Sequence, residues 1–317
     1  MDTSQSIIIG DESALFFHLH TDGLKRIGAS ITWDNPLIEG ASSSPNASSF
    51  NSSHPLFGGE PITLLVGDAN ARRRSRRVTC RTCPTDLPQG SFIKLRNNLF
   101  IASPELTFAR MGSRMTEFQL AEVGMNLCAR YYSNIDTDKP ADRSTFLTTP
   151  EKLGLYLDRI SSMRGAKRAR SALRWVISNS ASSAETKMKL QYCTPLWAGG
   201  MGVPFTHMNY DVKAEKLSDL MSQSKYCIDL VNPVLKKGME YDGEDSHQNP
   251  SKDKRRLNEL RTLGWDLFPI DKTILYNPDA TYKSGFQIRQ YLGIRGRLPK
   301  NWEKRFIMLR NDLGLPI

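Results

Sequence analysis

The chain has 317 residues and a formal net charge of +10, with 39% hydrophobic and 24% charged residues, all inside the globular range. No apolar run is long enough to cross a bilayer. The short apolar stretch Ile7-Ile8-Ile9 lacks the basic start and cleavage pattern of a signal peptide, so neither a membrane span nor a leader is expected. The basic balance points to a polyanionic partner, nucleic acid first, although ordinary solubility charge accounts for it equally well until its placement is known.

Five cysteines, an odd number spread from Cys80 to Cys227, do not form a disulfide framework and fit a reducing cytoplasm. Two small domains are expected, over residues 1–180 and 181–317. In the first, Gly40 to Pro55 (GASSSPNASSFNSSHP) is Ser/Asn-rich without apolar period and reads as a flexible insertion over about 40–56. Pro61–Val66 reads as a strand. Arg72, Arg73, Arg74, Arg76 and Arg77 form a basic run leading into the strand-like Val78–Cys80, where a phosphate contact and a solvated loop are both open. Ser91 to Ala102 predicts a hairpin turning at Asn97-Asn98. Ser103-Pro104-Glu105 opens a helix with a hydroxyl cap, a proline in the first position and an acid in the first turn.

Helical periodicity then dominates, with stripes at Phe118, Leu120, Ala121, Met125 and Leu127, and at Leu153, Leu155, Leu157 and Ile160. Between Gly165 and Asn179 an apolar face (Ala169, Leu173, Val176, Ile177) accompanies a different, basic one of Lys167, Arg170 and Arg174, a second candidate nucleic-acid contact.

After Ser180 the pattern changes. A helix from about Ser183 to Cys193 carries Glu185 in its first turn. Three strands follow (Pro204–Val212, Tyr226–Val231, Lys237–Asp242), then a polar helix Ser251–Leu263, a strand Trp265–Ile270 and a basic helical tail to Leu313. Strand side chains alternate, so Glu240 and Asp242 share a face and Asp229 projects away from Ile228 and Leu230. Paired as a hairpin, these strands bring Asp229 beside Glu240, and Glu185 supplies a further acid from the helix. Carboxylates this close resist ionising together unless protons are shared or a cation intervenes. Oxygen donors of this kind suit Mg²⁺ or Mn²⁺ and phosphodiester hydrolysis. The plainer reading of Glu240 and Asp242 is an edge strand ending in the turn Asp242-Gly243.

Taken in order, Ala184-Glu185-Thr186, Cys227-Ile228-Asp229-Leu230, Met239-Glu240-Tyr241-Asp242-Gly243, His247, Asp253, Arg256 and Leu263-Gly264-Trp265 resemble a group of uncharacterised bacterial proteins. Their C-terminal domain is similar to very-short-patch-repair endonucleases of the PD-(D/E)xK type, and their relatives include AbiEi-type antitoxins. Ile101-Ala102-Ser103-Pro104-Glu105 resembles the same proteins' strand-to-helix junction. The resemblance implies a restriction-endonuclease-like α-β-β-β-α-β core behind a mixed β then helical region. It also implies a Mg²⁺ site at Asp229, Glu240 and Asp242, catalytic roles for these with Glu185 and His247, and double-stranded DNA as partner. Asp253, Arg256 and Glu259 read equally as the solvated face of a surface helix, although Arg256 can reach back to the acids or contact the nucleic acid. In one respect the chain departs from the pattern: the lysine that orients the attacking water two positions after the last acid is Asp242 here, and Lys189 or His247 would have to stand in.

Two functions follow: a divalent-metal-dependent DNA endonuclease of repair or restriction type, or a non-catalytic DNA-binding regulator or antitoxin-like protein, with a toxin or another protein as partner. The missing lysine speaks against the first. The lack of an evident winged helix before Gly28 speaks against the second. Cys80-Arg81-Thr82-Cys83 is half of a zinc ribbon with no second pair at usable spacing, and zinc is not expected.

Overall fold

The structure is a computed structural model. It describes residues 5–22, 35–36, 38–43, 55–96, 98–137, 139–214, 219, 221–243 and 250–317. It is mixed α/β and separates into two compact units, Met1–Val176 and Ile177–Ile317.

In the first unit the strands β1 (Ile7–Ile9), β2 (Ile62–Val66), β3 (Val78–Thr82), β4 (Phe92–Arg96) and β5 (Leu99–Ala102) form a sheet in the order β3-β2-β1-β5-β4. The apolar Ile7–Ile9, set aside above as a non-leader, is the central strand: all three residues are buried, as a strand covered on both faces requires. Helix α1 (Asp11–His20) follows it directly. The β4–β5 hairpin leads into α2 (Pro104–Met111), where the Ser103 hydroxyl accepts the Leu106 N–H at 3.2 Å, the expected cap. Helix α3 (Glu117–Leu127), the two-stranded β6 (Tyr131–Asn134) and β7 (Lys139–Asp142), α4 (Pro150–Arg159) and α5 (Ala166–Leu173) complete the unit.

Two details differ from the sequence reading. Leu155 is 67% exposed, because it sits two residues from both Leu153 and Leu157 and a helix turns it off their buried face. Helix α5 stops at Leu173, so Val176 and Ile177 lie beyond the helix rather than on its face. Most of the Ser/Asn-rich stretch 40–56 lies outside the described residues.

The second unit runs α6 (Ser183–Cys193), β8 (His207–Lys213), β9 (Lys225–Asn232), β10 (Lys237–Asp242), α7 (Pro250–Thr262) and β11 (Asp266–Asp271), an α-β-β-β-α-β succession. The sheet order is β11-β10-β9-β8. The first three strands pair antiparallel as a meander, while β10 and β11 are parallel, an arrangement that needs a crossover as long as α7. Tyr226 and Ile228 of β9, Val212 of β8, Leu260 of α7 and Trp265 share one apolar cluster. Helix α6 is buried almost all round, through Glu185, Thr186, Met188, Lys189, Leu190, Gln191 and Tyr192, so its sequence carries little amphipathic signal. After it, Gly199 (φ +98°) lies against the chain: a Cβ there would stand 2.3 Å from the Arg305 carbonyl oxygen.

After α8 (Lys272–Tyr276), the basic tail, Phe286 to Leu313, is helical through the end of α9 (Pro278–Tyr291) and through α10 (Trp302–Asp312). Two of its arginines face inward. Arg310 is fully buried and donates to the carbonyls of Tyr276 (3.1 Å) and Pro316 (2.6 Å), and Arg289 donates to that of Met201 (3.0 Å). Their charges close helix ends and loops, which removes them from the basic surface expected of the tail. Among the described residues no helix is long and apolar enough to cross a membrane.

Candidate functional site

Three carboxylates meet where α6, β9 and β10 come together. Glu185 enters from the first turn of α6. The Ser182 hydroxyl accepts the Glu185 N–H (3.1 Å) and donates back to the Glu185 carboxylate (3.0 Å), which also accepts the Ala181 N–H (2.9 Å). Ser182 is thus the N-cap, and the Glu185 carboxylate, folded back on the Ser182 hydroxyl and the Ala181 N–H, is fixed in place. A third donor comes from Asn209 of β8, whose amide reaches Glu185 at 2.7 Å and the Asn179 carbonyl at 2.8 Å. Asn209 holds φ at +46° and Asn179 at +79°, conformations that favour asparagine among non-glycine residues. The Asn179 side chain in turn donates to the Met208 carbonyl at 2.8 Å.

Asp229 and Glu240 face each other across β9 and β10. The ladder pairs Lys237 with Asn232, Gly238 with Val231 and Met239 with Leu230; one step further sets Glu240 opposite Asp229 on the same face. There the backbone ladder gives way, and the Tyr241 N–H donates to the Asp229 carboxylate at 2.8 Å. Burial, then the Glu185 charge, then that of Glu240, push the Asp229 carboxyl from 3.8 up to about 7, against the opposing pull of the Tyr241 N–H and Arg256.

Arg256 of α7 supplies the counter-charge. Its two terminal nitrogens grip both oxygens of Glu240, and one of them also donates to the Cys227 carbonyl at 2.6 Å. Burial works against this guanidinium's charge, but Glu240 and Asp229 outweigh it and raise its pKa.

The remaining sequence candidates fall in several places. Asp242 is half-buried at the end of β10, opposite Asp271 in the parallel pair with β11. Asp271, which the sequence reading passed over, caps α8 by accepting the Ile274 N–H at 2.7 Å. His247 lies outside the described residues. Lys189, one turn after Glu185, is buried; desolvation lowers it to about 8, with the neighbouring Cys193 acting in the opposite direction. Glu259, a candidate for the solvated face of α7, is instead buried and accepts from Tyr226 Oη (2.8 Å), Ser222 N–H (3.0 Å) and Ser222 Oγ (2.7 Å).

The other cationic candidates belong to the first unit. Arg72, Arg73, Arg74, Arg76 and Arg77 are exposed on a turn that folds back on β3, where the Cys80 N–H donates to the Arg73 carbonyl (2.8 Å). Lys167, Arg170 and Arg174 are exposed along α5. Arg170 pairs with Asp158 (2.7 Å) and Arg174 with Glu117 (3.2 Å), so two of the three already have acidic partners. Cys80 and Cys83 are buried free thiols, and among the described residues no group of three or more His, Cys, Asp or Glu is placed to hold a metal ion.

Sequence reasoning missed Asn209. An asparagine inside an otherwise alternating strand (His207-Met208-Asn209-Tyr210) is disfavoured by propensity, and that misfit was the available signal. Compared with family models, curated proteins and solved structures, the chain matches none.

Proposed function

We propose that this chain is a metal-dependent DNA endonuclease-like protein, built in its second unit on a restriction-endonuclease-like core, with Asp229 and Glu240 holding one Mg²⁺ or Mn²⁺. The observation that carries this reading is the convergence of Glu185, Asp229 and Glu240 from α6, β9 and β10 on one partly buried spot. The α-β-β-β-α-β succession and the +10 net charge agree with it. The donor set fits the ion: Mg²⁺ keeps several waters and takes only one or two protein carboxylates, so no cage of three side chains is required.

A bound ion of this type supplies Lewis acidity at a phosphate and lowers the pKa of a water molecule. The chain's own residues do the rest. Asp229, held up at about 7 by burial and the neighbouring acids, would give up its proton as it takes the ion, so ion binding is expected to strengthen as pH rises through 7. Asn209 and the Ser182 cap hold the Glu185 charge in place beside it. Arg256 balances Glu240 and must release at least one of its oxygens for an ion to enter.

A second reading has its own support. The two-pronged grip of Arg256 on Glu240 neutralises the acid internally, and Asp242 stands where the orienting lysine is expected. Both fit a DNA-binding regulator or antitoxin-like protein that keeps the fold without the chemistry, with a toxin or another protein as partner. Incubating supercoiled plasmid with the protein and Mg²⁺ or Mn²⁺, alongside Glu240→Ala, decides between them. Metal-dependent nicking lost in the variant supports the enzyme. Duplex binding without cleavage supports the regulator. Melting temperatures of wild type that ignore both ions remove the metal site.

A further inference from the structure

A different part of the molecule carries a site of its own. In the first unit, the ends of β3, α1, α2 and α4 enclose a cavity of about 700 Å³, a size typical of small-molecule sites. Its wall is crowded with guanidinium groups. At one side Arg110 makes a two-pronged pair with Asp11 (Nε–Oδ1 2.5 Å, Nη2–Oδ2 3.1 Å), and Arg114 pairs with both Asp11 and Glu12. These two arginines are thereby neutralised and fixed. Asp11 itself is buried and holds φ at +46°, a strained backbone of the kind that persists where the surroundings enforce it.

The other cations have no such partners. Arg72, Arg81, Arg159 and Arg164 line the same cavity against one remaining carboxylate, Asp86, and none of the four forms an ion pair among the described residues. The Arg81 Nε is buried with no hydrogen-bond partner, an orphan donor that a folded protein ordinarily satisfies. Cys83 adds no negative charge, since burial pushes its thiol up to about 11. Leu87, Ile160 and Met163 give the cavity an apolar side.

We infer that this cavity binds a small phosphate-bearing ligand of nucleotide size, its phosphates held by Arg81, Arg159 and Arg164 and its remaining part set against Leu87, Ile160 and Met163. Guanidinium forks match phosphate oxygens in pairs, and a di-anion is what a surplus of cations in a concave wall attracts most. Two sources share this chemistry: a free nucleotide and the phosphorylated end of a nucleic-acid strand. The site is independent of the acids in the second unit and stands whether or not those acids bind metal.

The test is calorimetric titration of the full chain at fixed ionic strength, first with inorganic pyrophosphate. The variants are Arg159→Gln/Arg164→Gln, both exposed positions that a fold tolerates, and a charge-matched control, Lys300→Gln/Lys304→Gln. Wild type and control are expected to bind alike, with affinity about tenfold or more weaker in the cavity variant, the effect of losing charge-assisted hydrogen bonds. Adenosine diphosphate binding more tightly than pyrophosphate assigns the site to a free nucleotide. A 5′-phosphorylated oligonucleotide outbinding its 5′-hydroxyl counterpart by a similar factor assigns it to a strand end. No pyrophosphate binding, or an equal loss in both variants, overturns the proposal.

Discussion

Arg256 holds Glu240 by both carboxylate oxygens while a further donation, 2.6 Å to the Cys227 carbonyl, ties the same guanidinium to β9. One cation of α7 thus spans the two strands that carry the acids, and the pair is mostly withdrawn from water, with Glu240 at 12% and Arg256 at 31% side-chain exposure. Removing one partner of such a pair strands the other.

Arg256→Ala is therefore expected to lower stability by about 2–4 kcal/mol, somewhat below the range for a fully buried pair because Arg256 keeps 31% of its side chain exposed. It leaves three carboxylates without their counter-charge. Divalent ions should then raise the melting temperature more in the variant than in wild type. Thermal melts with and without Mg²⁺ check this, and equal shifts in both proteins would exclude competition between arginine and ion.

Asp229 gives a pH dependence whose sign is fixed. Its carboxyl titrates at about 7 in the folded chain against 3.8 ordinarily, so the folded state retains a proton that the unfolded chain releases. The resulting contribution is fully present below about pH 4, declines as pH rises towards 7 and is gone above it. Asp229→Asn should match wild type near pH 4 and exceed it at pH 8 by roughly 5 °C in melting temperature. Melts across pH 4–8 in metal-free buffer measure the difference, and a gap that shrinks with rising pH contradicts the assignment.

Asn209→Ala withdraws one donor from Glu185 and is expected to cost about 1.5–3 kcal/mol, the value of a hydrogen bond to a charged group. Asn209→Asp keeps the shape and places a second carboxylate against the first. That variant should be the less stable of the two at pH 7 and recover as pH falls through the carboxylate range. Urea denaturation at pH 7 and pH 4 separates the lost hydrogen bond from the added repulsion.

Glu259 behaves oppositely to Asp229. Hydrogen bonds from Ser222, with others from Tyr226 and Arg255, pull its carboxyl from 4.5 down to about 2. Its contribution is present above about pH 4.5 and is lost as pH falls towards 2. Glu259→Gln should lower stability at pH 7 and flatten the decline between pH 5 and 2.5, read from thermal melts against wild type.

The order of elements in the second unit was legible along the chain, since periodicity of two for β9 and β10 and a Ser-x-x-Glu opening for α6 are local properties. Local too was the alternation that sends Asp229 and Glu240 away from their apolar neighbours. Which residue of β9 faces which of β10 is a matter of register, and a slip of one would have parted the two acids; the ladder from Lys237–Asn232 to Met239–Leu230 set it. Sequence spacing likewise marked Arg256 as a cation within reach of the acids, but only packing of α7 chose Glu240 for it over solvent. The role of Asn209 was hidden because its partners Asn179 and Glu185 are distant in the chain. Arg289 and Arg310 show the same limit from the other side. As letters they are surface charge, and only the carbonyls gathered around them by α8, α9 and the chain end turn them inward. Local pattern fixes what an element is and which way its side chains alternate; long-range hydrogen bonds and charge pairing, which depend on groups brought together by the whole fold, decide what each polar residue does.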